Sequence, residues 1–277
     1  MSIKLTATGD SCGKSSGFSP NGTYYAFACW WHPHQLNLGA GMGIIGFTNA
    51  AEDDFTYLMQ DAGGDLRLGC TEGSLDLLID PVVSTWYWMY ARNDGTDLVA
   101  GIATATGTYT TISFGASAPV TSPTKCGLGS YFQGDTTYSK DWCVQNGLFW
   151  SGAAANSIPT VAELQAQRTR LRPLPMVGGG STLLLPYAWW PTRGVDELGD
   201  LSGGGQTLVG VGLELGDSPP VGWGAAPLFV PSISQIWQYG RPISDVAKGS
   251  WTASTGSDLY AMIDEEGVSD ADYIRSP

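Results

Sequence analysis

The chain is broken, almost from its first residue, into short strand-like runs separated by turn residues, and that rhythm limits what it can fold into. Ile3 to Thr8 alternates, and Thr23 to Trp31, Gly43 to Thr48, Phe55 to Met59 and Leu66 to Cys70 follow as further runs. Each stops at a turn cluster such as Pro20-Asn21-Gly22, Asn49 to Asp54 or Ala62 to Asp65. Thr85 to Arg92 and Asp97 to Ala103 flank Asn93-Asp94-Gly95-Thr96, which is the pattern of a β-hairpin. Thr108 to Phe114, Lys125 to Gly129 and Trp142 to Trp150 continue the series. Strands recurring about every ten residues pack as two sheets face to face, a sandwich or jelly roll. One helix interrupts them. Thr160 is its N-cap, Glu163 completes a capping box, and Val161, Leu164 and Leu171 lie near one face, so the helix is expected over Val161 to Arg172. Leu183 to Trp190 reads as a strand with Pro186 forcing an edge or a bulge. Beyond Asp200 to Gly205 the sequence becomes rich in loops.

Composition agrees with β structure. The 277 residues hold 38 Gly, 16 Pro, 11 Trp, 12 Tyr and 8 Phe, while the charged residues of exposed helices are scarce. A net charge of −13 argues against nucleic acid, since neutralising phosphates takes clustered cations and only Arg168, Arg170 and Arg172 lie close together. Cys12, Cys29, Cys70, Cys126 and Cys143 are odd in number and widely spaced, which suits neither a zinc ribbon nor a tight disulfide framework. They read as small buried residues of a chain made in a reducing cytoplasm, with one or two disulfides as the alternative. No basic-then-apolar signal opens the sequence and no apolar run is long enough to span a bilayer, so no membrane partner and no export signal are expected.

From Thr23 to Arg172 the order of these signals resembles the laminin G-like, concanavalin A-like jelly rolls. The resemblance rests on the aromatic run Tyr24 to Pro33, on Trp86, Ala91 or Arg92 and Asp94-Gly95 of the hairpin, and on Gly127-Leu128-Gly129. It continues through Trp142 to Trp150 and the helix start at Thr160, Glu163 and Leu164. It implies an all-β jelly-roll sandwich over residues 1–222 with one short helix, and an extended arm over residues 223–277. The superfamily also implies one Ca²⁺ held by loop acids, here Asp53, Asp54, Asp61 and Asp94. Solvated turn carboxylates are the simpler reading of those four, and no other cofactor is expected.

The arm is rich in aromatic anchors and has no helical period. Trp237, Tyr239, Arg241, Trp251, Tyr260 and Tyr273 are separated by Ser, Gly, Pro and Asp, unlike a disordered tail, which is poor in rings. Arg241-Pro242, Ser244-Asp245, Gly249, Trp251-Thr252, Leu259-Tyr260, Ile263 to Glu265 and Asp270 to Ile274 resemble a segment of tailed-bacteriophage virion structural proteins. That resemblance implies an arm docking on another subunit.

Catalytic patterns are weak. Gly9-Asp10-Ser11-Cys12-Gly13 spells a nucleophile elbow and Thr8 to Ser15 nearly spells a P-loop, but both run into what reads as loop rather than helix. Glu52-Asp53-Asp54 and Asp264-Glu265-Glu266 do not alternate on a strand, as a glycosidase carboxylate pair would. His32 and His34 point the same way if the chain is extended, so a metal could bridge them, although Pro33 reads first as the end of a strand. Trp30, Trp31, Trp88, Trp189 and Trp190 are candidates for stacking on sugar rings, though most of the tryptophans are expected in the core.

These readings lead to a non-enzymatic bacteriophage virion protein, a capsid decoration or tail component, whose partners are other virion proteins and further copies of itself. The alternative is a carbohydrate-binding module for host-surface or environmental glycans.

Overall fold

A computed structural model describes residues 2–36, 39, 41–132, 140–192, 195 and 198–220. The C-terminal arm, with Trp237, Tyr239, Arg241, Trp251, Tyr260 and Tyr273, lies outside the described residues.

The elements in chain order are β1 (Ser2–Leu5), β2 (Ser11–Lys14), β3 (Tyr24–Pro33), β4 (Met42–Asn49), β5 (Phe55–Gln60), β6 (Leu66–Cys70), β7 (Gly73–Asp76) and β8 (Tyr87–Asp94). They continue with β9 (Leu98–Thr104), β10 (Thr110–Ser113), β11 (Pro123–Leu128), β12 (Trp142–Ser151), α1 (Val161–Gln167), β13 (Ala188–Trp190), β14 (Val209–Val211) and β15 (Glu214–Gly216). The first sheet runs β10-β9-β8-β3-β12-β1-β15, with β13 also pairing β12, and the second runs β14-β2-β11-β4-β5-β6-β7. The pairings along both sheets are antiparallel. This is the all-β jelly-roll sandwich expected from the sequence, with one short helix.

Strand alternation builds two separate apolar layers. From β3, Tyr25, Phe27, Cys29 and Trp31 point between the sheets, where they meet Phe47, Leu58 and Leu68 of the second sheet. Tyr25, Phe27, Phe47 and Phe149 pack edge-to-face or stacked, with Phe47 and Phe149 centroids 5.1 Å apart. The opposite face of β3 carries Ala26, Ala28 and Trp30, joined by Trp88 and Tyr90 of β8 and Trp150 of β12. Helix α1 and the chain after it cover this outer face with Leu164, Leu171 and Met176. Fully burying each large apolar side chain contributes roughly 1.5–3 kcal/mol, so the second layer supplies a substantial part of the stability.

Several local readings are corrected. The helix ends at Gln167, not Arg172. The buried Gln167 amide donates to the carbonyls of Arg170 and Arg172 while its oxygen accepts from Leu174 N–H, so the side chain captures the backbone that would have continued the helix. Arg168 turns aside and donates to the carbonyls of Thr104 and Gly107. Of Leu183 to Trp190 only Ala188–Trp190 is strand, beginning beyond Pro186. Ser11–Lys14, which the sequence reading did not mark as a strand, is one, paired with both β11 and β14. The loop-rich stretch after Gly205 also contains two short strands, β14 and β15.

Candidate functional site

The tryptophans proposed for sugar stacking are mostly core. Trp30, Trp31 and Trp88 are 0% exposed and Trp190 is 1% exposed, so none presents a ring face to a ligand. Trp30 and Trp31 do face opposite ways, but helix α1 roofs the face that alternation would have left open. Trp88 Nε1 donates to the Leu164 carbonyl at 2.9 Å, tying that roof to the sheet. Trp189 is half-buried, and its indole N–H donates to Asn146 Oδ1 at 2.9 Å.

The loop acids hold turns together. Asp53 accepts from Asn49 Nδ2, and Asp54 accepts from Thr71 Oγ1 and Thr121 N–H. Asp61 accepts from Gly63 and Asp65 N–H groups and pairs with Arg67 at 2.9 Å. Asp94 accepts from Thr96 and Asp97 N–H groups and pairs with Arg92 at 2.7 Å. Burial pushes the Asp94 carboxyl up, but those hydrogen bonds and the Arg92 charge together hold it below the ordinary aspartate value. Among the described residues no three of these four carboxylates converge. Calcium at any of them would displace hydrogen bonds that fix the loops.

Ser11, the serine of the elbow-like pattern, is buried within β2. It is therefore not at the tip of a strand-to-helix turn, which that chemistry requires. All five cysteines are free and buried, and burial pushes the thiols of Cys12, Cys29 and Cys126 far up, which leaves them unreactive.

Two groupings go beyond what was read from the sequence. The first lies on the outer face of the second sheet. Across that sheet, Gly127, Gly46, Tyr57 and Gly69 stand in register on neighbouring strands, so Tyr57 has a glycine on either side. A Cβ on Gly46 would sit 2.1 Å from the Thr56 carbonyl, and one on Gly43 would sit 2.6 Å from the Tyr131 ring. These glycines form a low floor, and Tyr131 packs edge-on to Tyr57 above it at 5.0 Å. Phe55 is partly exposed beside Tyr57, and Lys125 lies 5.0 Å over the partly exposed ring of Phe132. Glycines inside strands were the available signal, because they mark close approach of a ring or a ligand to the backbone.

The second grouping forms around the two histidines. His32 and His34 do come together, with ring centroids 4.8 Å apart, and Cys143 and Asp217 join them. Cys143 lies on β12 opposite His32, and Asp217 directly follows β15. Sequence separation hid both, since neither forms a short metal-binding spacing with the histidines.

No family model matches the chain, and no curated protein matches it. Solved structures do resemble it. A heptameric SAP-like pentraxin from Limulus polyphemus matches at 10% identity over 60% of this chain and 82% of its own, with a TM-score of 0.43. A Bacteroides ovatus protein whose proposed role is carbohydrate binding matches at 12% identity over 80% of this chain and 62% of its own, with a TM-score of 0.48. Tailspike protein 2 of bacteriophage CBA120, in its enzymatically active domain, matches at 10% identity over 54% of this chain and 24% of its own, with a TM-score of 0.39. At such distances these likenesses carry no argument about activity.

Proposed function

We propose that this protein is a non-enzymatic structural subunit of a bacteriophage virion, a sandwich body that joins copies of itself along one flank. The carrying observation is the contrast between the two ends of the sandwich. At one end, β7 and β10 are the edge strands and present Ser74, Asp76, Thr110, Thr111 and Ser113, a polar border of the kind that discourages pairing. At the other end, β14 and β15 are the edges among the described residues, and they expose Val209, Val211 and Leu215 at 45%, 49% and 54%. Edge strands carrying exposed aliphatic side chains suit addition of a strand from a second copy, with main-chain hydrogen bonds for strength and side chains for register. The virion assignment rests on the sequence pattern of the arm, and other virion proteins are the further partners. Dispersed acids and a buried Ser11 support a passive role. Hydrogen exchange on the full chain tests the flank: amides of Val209–Val211 and Glu214–Gly216 become more protected as protein concentration rises. Protection independent of concentration would contradict self-association there.

The aromatic face of the second sheet favours a second reading, glycan binding. The partly exposed rings of Phe55, Tyr131 and Phe132, backed by the buried Tyr57 and beside the Lys125–Glu52 ion pair, offer stacking surface next to charged hydrogen-bonding groups. The Phe132→Ala chain is expected to lose retention on immobilised host-surface glycans by tenfold or more while staying folded. Equal retention by both chains would remove this reading.

A further inference from the structure

We infer that His32, His34, Cys143 and Asp217 form a four-ligand site for a zinc-class divalent transition metal. Each residue offers one donor atom, and the four atoms all lie within 4.8 Å of one another. His34 Nε2 and Cys143 Sγ are 3.1 Å apart, and His32 Nδ1 and Asp217 Oδ2 are 4.0 Å apart. Around tetrahedral zinc, with Zn–N near 2.0 Å and Zn–S near 2.3 Å, neighbouring donors stand about 3.3–3.7 Å apart. These two pairs bracket that range and no separation among the four exceeds 4.8 Å, so side-chain shifts of about 1 Å would close the site.

Three features point to a ligand, not to a set of polar residues that merely meet. His32 is 5% exposed, and its Nδ1 is buried with no hydrogen-bond partner. A native interior rarely leaves such an atom unmet. The ring is held in place, because Trp86 stacks on it with centroids 4.9 Å apart. The backbone around the other donors is fixed as well. His34 N–H donates to the Asp141 carbonyl, and Ser2 Oγ donates to the carbonyl of Asp217, whose neighbour Gly216 pairs with Ser2 in the β1–β15 ladder.

The donor set chooses the metal. Two imidazoles, a thiol sulfur and one carboxylate oxygen suit a borderline-soft ion, whereas Ca²⁺ and Mg²⁺ take oxygen cages. A thiolate and a carboxylate together balance a dication, which leaves the site neutral, with His32 and Cys143 buried, His34 half-buried and Asp217 on the exposed side. The anionic fourth ligand fits tetrahedral zinc better than a copper site, where the fourth ligand is weak and neutral. Burial pulls His32 below the ordinary imidazole value, helped by the neighbouring His34, and so supplies the neutral ring a metal needs. The same burial raises the Cys143 thiol, which the bound ion would reverse. With its four ligands from β3, the residue after it, β12 and the residue after β15, the site would pin the β15 edge to the centre of the sheet. This inference stands independently of the assembly reading.

The test is a Co²⁺ titration of tag-free, reduced, chelator-treated full chain. The expected result is one equivalent bound with intense visible absorption of tetrahedral cobalt and a thiolate charge-transfer band, both erased by Zn²⁺. Cys143→Ser should lose the charge-transfer band, and His34→Gln, at a half-buried position, should bind at least tenfold more weakly. Zn²⁺ should raise the thermal midpoint of the native chain but not that of His34→Gln. A native chain that binds no cobalt in tetrahedral form would overturn the inference, as would unchanged affinity in His34→Gln. Should Cys143→Ser fail to fold, the native spectrum and His34→Gln decide the question.

Discussion

Trp88 shows how one side chain can link two elements. Its ring lies 5.6 Å from that of Trp30 in the outer apolar layer, and its N–H holds the Leu164 carbonyl of α1. Trp88→Phe keeps most of the ring but leaves that buried carbonyl without its donor, which costs about 1–3 kcal/mol. The expected result is a lower urea midpoint with an unchanged slope. An unchanged midpoint would mean that the indole N–H does not fasten the helix to the sheet. Alternation in the sequence already placed Trp30 and Trp31 on opposite faces. It did not reveal that both faces are covered, because a period of two reports direction and not what lies above the sheet. Gln167 was equally unreadable: its glutamine gave no sign that it would hold Arg170, Arg172 and Leu174 from a buried position.

At the scale of the element, α1 owes its start to Thr160 and Glu163. The Thr160 hydroxyl accepts from Glu163 N–H, and the Glu163 carboxylate accepts from Thr160 N–H. That same carboxylate also accepts from the N–H groups of Val177 and Gly178, so it fastens the returning chain to the helix. Burial pushes the Glu163 carboxyl up, but the hydrogen bonds from Thr160, Val177 and Gly178 together hold it below the ordinary glutamate value. The unfolded chain therefore takes up this proton first as pH falls. The stabilisation is complete above the ordinary glutamate pKa, near 4.3, and is lost as pH drops through the lowered folded value. Denaturation midpoints followed from neutral to acidic pH should fall less steeply for Glu163→Gln than for the native chain. Identical profiles would exclude this role. Here the sequence was informative, since a capping box is written within four residues. The edge strands β14 and β15 were harder to find. Each is three residues long and lies among glycines, and Gly212 between them, at φ +69°, sits so close that a Cβ would meet Asp10 Oδ1 at 1.9 Å. Their pairing comes from partners about two hundred residues away in sequence, which no local pattern reports.

For the whole molecule, the sandwich architecture was legible because turn chemistry and alternation repeat along the chain and agree with each other. The candidate sites were legible only as far as the neighbouring pair His32 and His34, because their other residues meet where distant strands pair. His32 and Cys143 become neighbours only through the β3–β12 register, and the glycine floor under Tyr57 and Tyr131 only through the pairing of β11, β4, β5 and β6. Under the proposed function the two ends of the sandwich take different roles, a polar border at β7 and β10 and an adhesive one at β14 and β15. Light scattering behind size exclusion, on the full chain and on the double variant Val211→Lys, Leu215→Lys, tests that division most directly. Both substitutions are at exposed positions, so the fold should survive them. A defined oligomer is expected for the native chain and a folded monomer for the variant. A native monomer, or the same oligomer in both, would contradict that division.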